Sequence, residues 1–196
     1  MKVFATLATL WLSAMQAPLA AAPISYTFTG TGTGTAAGTP FTNSAFTVSI
    51  TGNTSDVAFQ PSLGALGIIN IPAATMSIAG VGTVNFASVF VYRTGPEVGF
   101  GTDRNLVSIQ NGAVSGYGLV TSFGPASSAN SSLSQFVNIP TNLGILTYSS
   151  MSTVTFQASV SGVPEPASGG MLLIGAGLLG LCQNRWKPGR DGSRSR

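Results

Sequence analysis

The chain has 196 residues, of which 44% are hydrophobic and only 7% charged, with no histidine and one cysteine. Without histidine there is no Ser-His-Asp triad, no Cys-His pair and no ordinary zinc site. The net charge of +3 belongs to the chain ends, because residues 23–162 hold only Arg93 and Arg104 against Asp56, Glu97 and Asp103; two cations cannot neutralise a run of phosphates, so a nucleic-acid partner is excluded too.

The N-terminus reads as an export signal. Met1-Lys2 is a short positive start, Val3 to Met15 is mostly apolar, and Ala17-Pro18-Leu19-Ala20-Ala21-Ala22 offers small residues to a signal peptidase. Thirteen residues are short of the roughly 20 needed to span a bilayer, which favours removal over permanent anchoring. Cleavage is expected after Ala21, because cutting after Ala22 would leave Pro23 first. The partners implied are the Sec translocon and signal peptidase.

The body, 22–162, is expected to be one all-β domain. Disordered chains combine low hydrophobicity with high net charge, and this body has neither; its size suits a single core. The only cysteine, Cys182, lies outside it, so packing and backbone hydrogen bonds must hold the fold. Ile24 to Thr29 alternates through Tyr26 and Phe28, and Ser44 to Thr51 alternates through Phe46, Val48 and Ile50. Val154 to Val160 repeats the scheme. A period of two marks a half-buried strand. Less regular strands are expected at Thr75 to Ile78, Thr83 to Tyr92, Leu106 to Gln110 and Gly118 to Ser122. Turns are expected at Gly52-Asn53, Gly80, Gly95-Pro96, Asn111-Gly112 and Gly124-Pro125, the fourth as a type I′ hairpin. Ala126 to Ser134 reads as a loop. The fold class is therefore an antiparallel β-sandwich or jelly-roll-like domain of six to ten short strands.

Candidate chemistry in the body is sparse. Gly30-Thr31-Gly32-Thr33-Gly34 lacks the spacing and following helix of a dinucleotide fingerprint, and reads as a flexible loop or exposed strand end. Glu97 and Asp103 are the only carboxylates close in sequence, and a glycosidase needs two roughly 5 to 9.5 Å apart. The simpler reading is an exposed loop with Arg93–Glu97 and Arg104–Asp103 surface ion pairs. Calcium binding by Asp103 and Asn105 is chemically allowed, without a ligand count to support it. Tyr26, Tyr92, Tyr117 and Tyr148 are candidates for stacking on sugars, each weighed against core packing. No cofactor and no catalytic residue is assigned; the chain is read as not an enzyme.

The last segment is the most informative. Val163-Pro164-Glu165-Pro166 precedes an apolar, glycine-studded run from Ala167 to Cys182, and a basic tail, 183–196, carries Arg185, Lys187, Arg190, Arg194 and Arg196. Sixteen helical residues rise about 24 Å, and the terminal arginines and Trp186 extend that reach at the interface. A single C-terminal transmembrane helix is expected at 167–182, with the positive tail held on the cytoplasmic side. Pro164 and Pro166 keep Glu165 extended outside the bilayer, as a protease or transpeptidase requires.

Residues 163–196 closely resemble the PEP-CTERM sorting signal of proteins exported by Gram-negative bacteria. The resemblance implies processing by a membrane-embedded exosortase and delivery to the cell surface or extracellular matrix, after transient anchoring in the inner membrane. It also implies a structural or adhesive role in extracellular polymer, biofilm or floc, with extracellular polysaccharide as a further partner. A carbohydrate-binding module is the alternative, and a glycoside hydrolase the third reading. The tail after Cys182 is a little long for such a signal, which bears on where the signal ends.

Overall fold

The computed structural model describes residues 21–71, 74–102, 105–128, 132–134 and 136–162, all within the first of the two units into which the chain divides, residues 1–162. Residues 1–20 of the expected signal peptide, the expected membrane segment 167–182, and Asp103 and Arg104 lie outside these residues. Among the described residues no helix is long and apolar enough to cross a membrane.

Alternating apolar residues set the elements. The two longest strands, β1 (Pro23–Ala36) and β2 (Thr39–Asn53), pair from Pro23↔Asn53 to Ala36↔Thr39. They turn through Ala37 and Gly38, both at positive φ, as a two-residue hairpin needs to match strand twist. Next come β3 (Val57–Gln60), β4 (Ala65–Ile71), β5 (Ala74–Ile78), β6 (Gly82–Phe86), β7 (Val89–Thr94) and β8 (Glu97–Thr102). The remaining strands are β9 (Asn105–Gln110), β10 (Phe123–Ser128), β11 (Ser132–Ser134), β12 (Ile139–Thr141), β13 (Gly144–Met151) and β14 (Val154–Val160). All pairings are antiparallel, in one sheet ordered β10-β14-β1-β13-β12-β6-β5-β2 and another ordered β11-β9-β8-β7-β4-β3.

The all-β, antiparallel expectation holds, but the described residues form fourteen strands, not six to ten short ones, with β1 and β2 of 14 and 15 residues. One sheet, moreover, is not a simple sandwich layer. Because β1 also pairs with β2, the larger sheet closes into a six-strand ring, β1-β13-β12-β6-β5-β2. The closure is thin between β12 and β6, where Thr141↔Phe86 is the one registered pair and Asn85 N–H donates to Asn142 Oδ1 at 2.7 Å. The two sheets share a core: the Phe28 ring of β1 lies 4.9 Å from Phe100 of β8 and 5.0 Å from Phe156 of β14. Ile24, Val48, Ile50, Met76, Ile68, Val91 and Val107 are fully buried beside them.

Several local expectations change. The Gly30–Gly34 repeat is not a loop; it is the middle of β1. Its glycines face the rings of Phe46, Tyr148 and Phe41, and a Cβ on Gly32 would come within 2.5 Å of Tyr148 Cε1. Asn111-Gly112 forms no hairpin: Asn111 has φ −150°, and its Oδ1 accepts from Ala113 N–H to start a 3₁₀ turn, Gly112–Val114. Gly52-Asn53 lies within the end of β2, and Gly124-Pro125, joined by a cis bond, within β10. Thr83 to Tyr92 is two strands, split at Ala87-Ser88, and part of the expected loop Ala126 to Ser134 is strand, at the end of β10 and in β11.

Gly118 to Ser122 forms no strand either, because its backbone is held by side chains. Buried Leu119 has φ 61°, and its carbonyl accepts from Tyr26 Oη at 2.5 Å. The Thr121 carbonyl accepts from Tyr117 Oη at 2.6 Å. Tyr26→Phe strands the buried Leu119 carbonyl, so we expect a loss of about 1–3 kcal/mol, read as a lower urea midpoint at unchanged m-value.

Three polar rows cross the outward face of the larger sheet, while β12 and β13 add the exposed Pro140 and Ile145. One row across six strands reads Ser127, Thr155, Thr29, Thr47, Ser77, Thr83. The next reads Gln157, Thr27, Ser49, Thr75, Asn85, and a third Ser159, Ser25, Thr51. No charged residue appears in any row.

Candidate functional site

The sorting residues named above, Val163 to Pro166 with Arg185, Lys187, Arg190, Arg194 and Arg196, lie outside the described residues. What the structure does position is the strand that leads to them. β14 runs between β10 and β1, and its last residues are tied on both sides. Val160 N–H donates to Ser122 Oγ at 3.0 Å, and Ser161 N–H donates to the Pro23 carbonyl at 3.0 Å. Gly162 follows at φ 64°, a left-handed turn that glycine adopts without steric cost.

The start of the described domain is fastened at the same place. Ala22 N–H donates to Thr54 Oγ1 at 3.1 Å and the Ala22 carbonyl accepts from Thr54 N–H at 2.9 Å. Asp56 holds this turn, its Oδ2 accepting from Asn53 N–H at 3.2 Å and its Oδ1 from Ser55 Oγ at 3.2 Å. Both ends of the domain therefore leave from one pole. Composition gave no hint of this, since it depends on β1 and β14 being neighbours while separated by more than a hundred residues.

The other candidates are dispersed. Arg93 and Glu97 do not pair: Arg93 stands opposite Val98, while Glu97 stands opposite Thr94, so the two point to opposite faces of the hairpin. Arg93 Nε instead donates to the Tyr117 carbonyl at 2.8 Å, and Glu97 Oε1 accepts from Tyr92 Oη at 2.9 Å. Glu97 and Thr102 are the two ends of β8, about 17 Å of extended chain apart; Asp103 lies outside the described residues.

The four tyrosines are all buried, Tyr26 and Tyr148 almost completely. Burial raises each phenol above its usual value; for Tyr92 the neighbouring Glu97 adds to the rise while a hydrogen bond with Ser108 opposes it. Tyr92 packs against Gly99, where a Cβ would come within 2.8 Å of its ring. None of the four offers an open face for a sugar. A cleft of about 350 Å³ opens at the β6–β12 seam, lined by Ala87, Ser88, Thr102, Asn138, Ile139 and Pro140 together with Phe86.

Comparison with known families decides the C-terminal segment: residues 162–185 match the family described as PEP-CTERM protein-sorting motif. The chain carries a PEP-CTERM sorting signal. That signal implies an exported protein processed by an exosortase, a membrane protease. It also implies membrane-anchored transit through the C-terminal tail. The PEP-CTERM match begins at Gly162, one residue after Ser161, which makes the last backbone hydrogen bond among the described residues. No curated protein and no solved structure is detectably similar to the chain.

Proposed function

We propose that this is a structural or adhesive component of an extracellular matrix: a β domain exported behind a signal peptide, sorted by its PEP-CTERM segment to the surface of a Gram-negative cell, and not itself an enzyme. The sorting motif at residues 162–185 carries the reading. It is supported by the nearly uncharged body and by the buried tyrosines.

The test replaces Pro164, Glu165 and Pro166 together with alanine in cells that process the natural protein. The processed form should fall to background while the full-length chain accumulates in the membrane fraction, with the C-terminus read by mass spectrometry. Unchanged processing and release would remove the motif from its role. Fractionation answers the second half of the proposal: the processed protein should travel with extracellular polymer, and a purely periplasmic protein would contradict it.

A further inference from the structure

We infer that the outward face of the larger sheet is a docking surface for a single chain of neutral polysaccharide, held by hydrogen bonds to rows of hydroxyls. The inference rests on the reading of the domain as extracellular. Its central row, Ser127, Thr155, Thr29, Thr47, Ser77 and Thr83, crosses six strands. Strands stand about 4.8 Å apart, so each row offers a hydroxyl at intervals close to the width of one sugar ring. Thr29, Thr47, Ser77 and Thr83 make no side-chain hydrogen bond to the described protein, whereas Ser127 and Thr155 bond each other at 2.7 Å. The other rows are Ser and Thr throughout except for Gln157 and Asn85.

Chemistry selects the occupant. A face without cations does not hold nucleic acid or anionic lipid, and the same lack disfavours acidic polysaccharides. Protein interfaces are anchored by buried aromatic and Arg side chains, and these rows contain none. What remains is a large, neutral partner made of donors and acceptors. Four of these strands belong to the six-strand ring, so the row curves around it; a rigid crystalline surface would meet only a few strands, whereas a flexible single chain can follow the curve. Each hydroxyl contributes little against water, so affinity must come from many contacts along one polymer.

Full-length protein in a non-ionic detergent without a sugar headgroup should bind a soluble neutral β-glucan, more tightly as oligomer length rises, and equally at low and high salt. Thr29→Val, Thr47→Val and Thr155→Val together keep β-branched side chains on the strands but remove three hydroxyls, and binding should weaken about tenfold. The matching serine triple should bind as the natural protein does, and Thr94→Val on the other sheet should change nothing. No binding, undiminished binding by the valine triple at unchanged circular dichroism, or equal binding to alginate would each overturn the inference. If the valine triple still fractionates with matrix, the face fails while the matrix role stands. If the natural protein binds glucan but is never found with matrix, the converse holds.

Discussion

Raising the pH above 10 should unfold the exported domain in one steep transition, with the four tyrosines ionising together with the loss of structure. All four tyrosines of the chain lie in this domain and are buried, and burial raises every one of them. A phenol whose pKa is higher folded than unfolded binds its proton more tightly in the native state. Its stabilising contribution is therefore fully present below the unfolded value of about 10 and is lost as pH climbs toward the folded value. Each such group removes about 1.4 kcal/mol per pH unit in that window, so four remove about 5.5 kcal/mol per unit. A domain of ordinary stability, about 5–15 kcal/mol, should then unfold within one to three units above pH 10. Circular dichroism and tyrosinate absorbance, followed together, check this; tyrosinate forming near pH 10 in a still-folded protein would contradict it. With no histidine in the chain, no comparable dependence from imidazole is expected between pH 6 and 8.

Gly34→Ala should cost about 3 kcal/mol or more, at the upper end of what overpacking does, and lower the melting temperature by about 10 °C. A Cβ on Gly34 would stand 2.1 Å from the Thr147 carbonyl oxygen and 2.9 Å from the Phe41 ring. The first obstacle is backbone, held in the β1–β13 ladder at Gly34↔Tyr148 and Thr35↔Thr147, so no rotamer change relieves it. Thr35→Ala, one residue on and solvent-facing, should stay within about 0.5 kcal/mol of the natural protein. If the two variants melted together, the close approach of β13 to the glycine would not be what the repeat is for.

This pair of residues also shows what can be read along a chain and what cannot. Phe46, Val48 and Ile50 announce β2 because each alternate position is large and apolar, and the same holds for Tyr26 and Phe28 in β1 and Phe156 in β14. Gly30, Gly32 and Gly34 occupy inward positions of the same period but carry no side chain to register it. Glycine weakens strands on its own, so local preference favours a loop. The strand is decided by Phe41, Phe46 and Tyr148, whose rings fill the space the glycines leave; Tyr148 comes from the far end of the domain. Asn111-Gly112 fails for a related reason, since the Asn111 side chain binds Ala113 N–H and starts a 3₁₀ turn instead. The sorting segment was legible because proline pair, apolar run and basic end act in sequence order. The uncharged rows were also legible in principle, as Thr and Ser at every second position, but only sheet order aligns them.

The fastening of Ser161 to Pro23 has a mechanical consequence. Ladder hydrogen bonds of antiparallel strands lie perpendicular to the strand direction, and β14 is held lengthwise between β10 and β1. A load applied between the two neighbouring ends of the domain would peel β1 from β14, opening one bond after another. A load carried from the sheet face to the C-terminus would instead pull β14 along its own axis, so that its ladders on both sides resist in parallel. The fold is weak when drawn apart by its ends and strong when tethered by its tail.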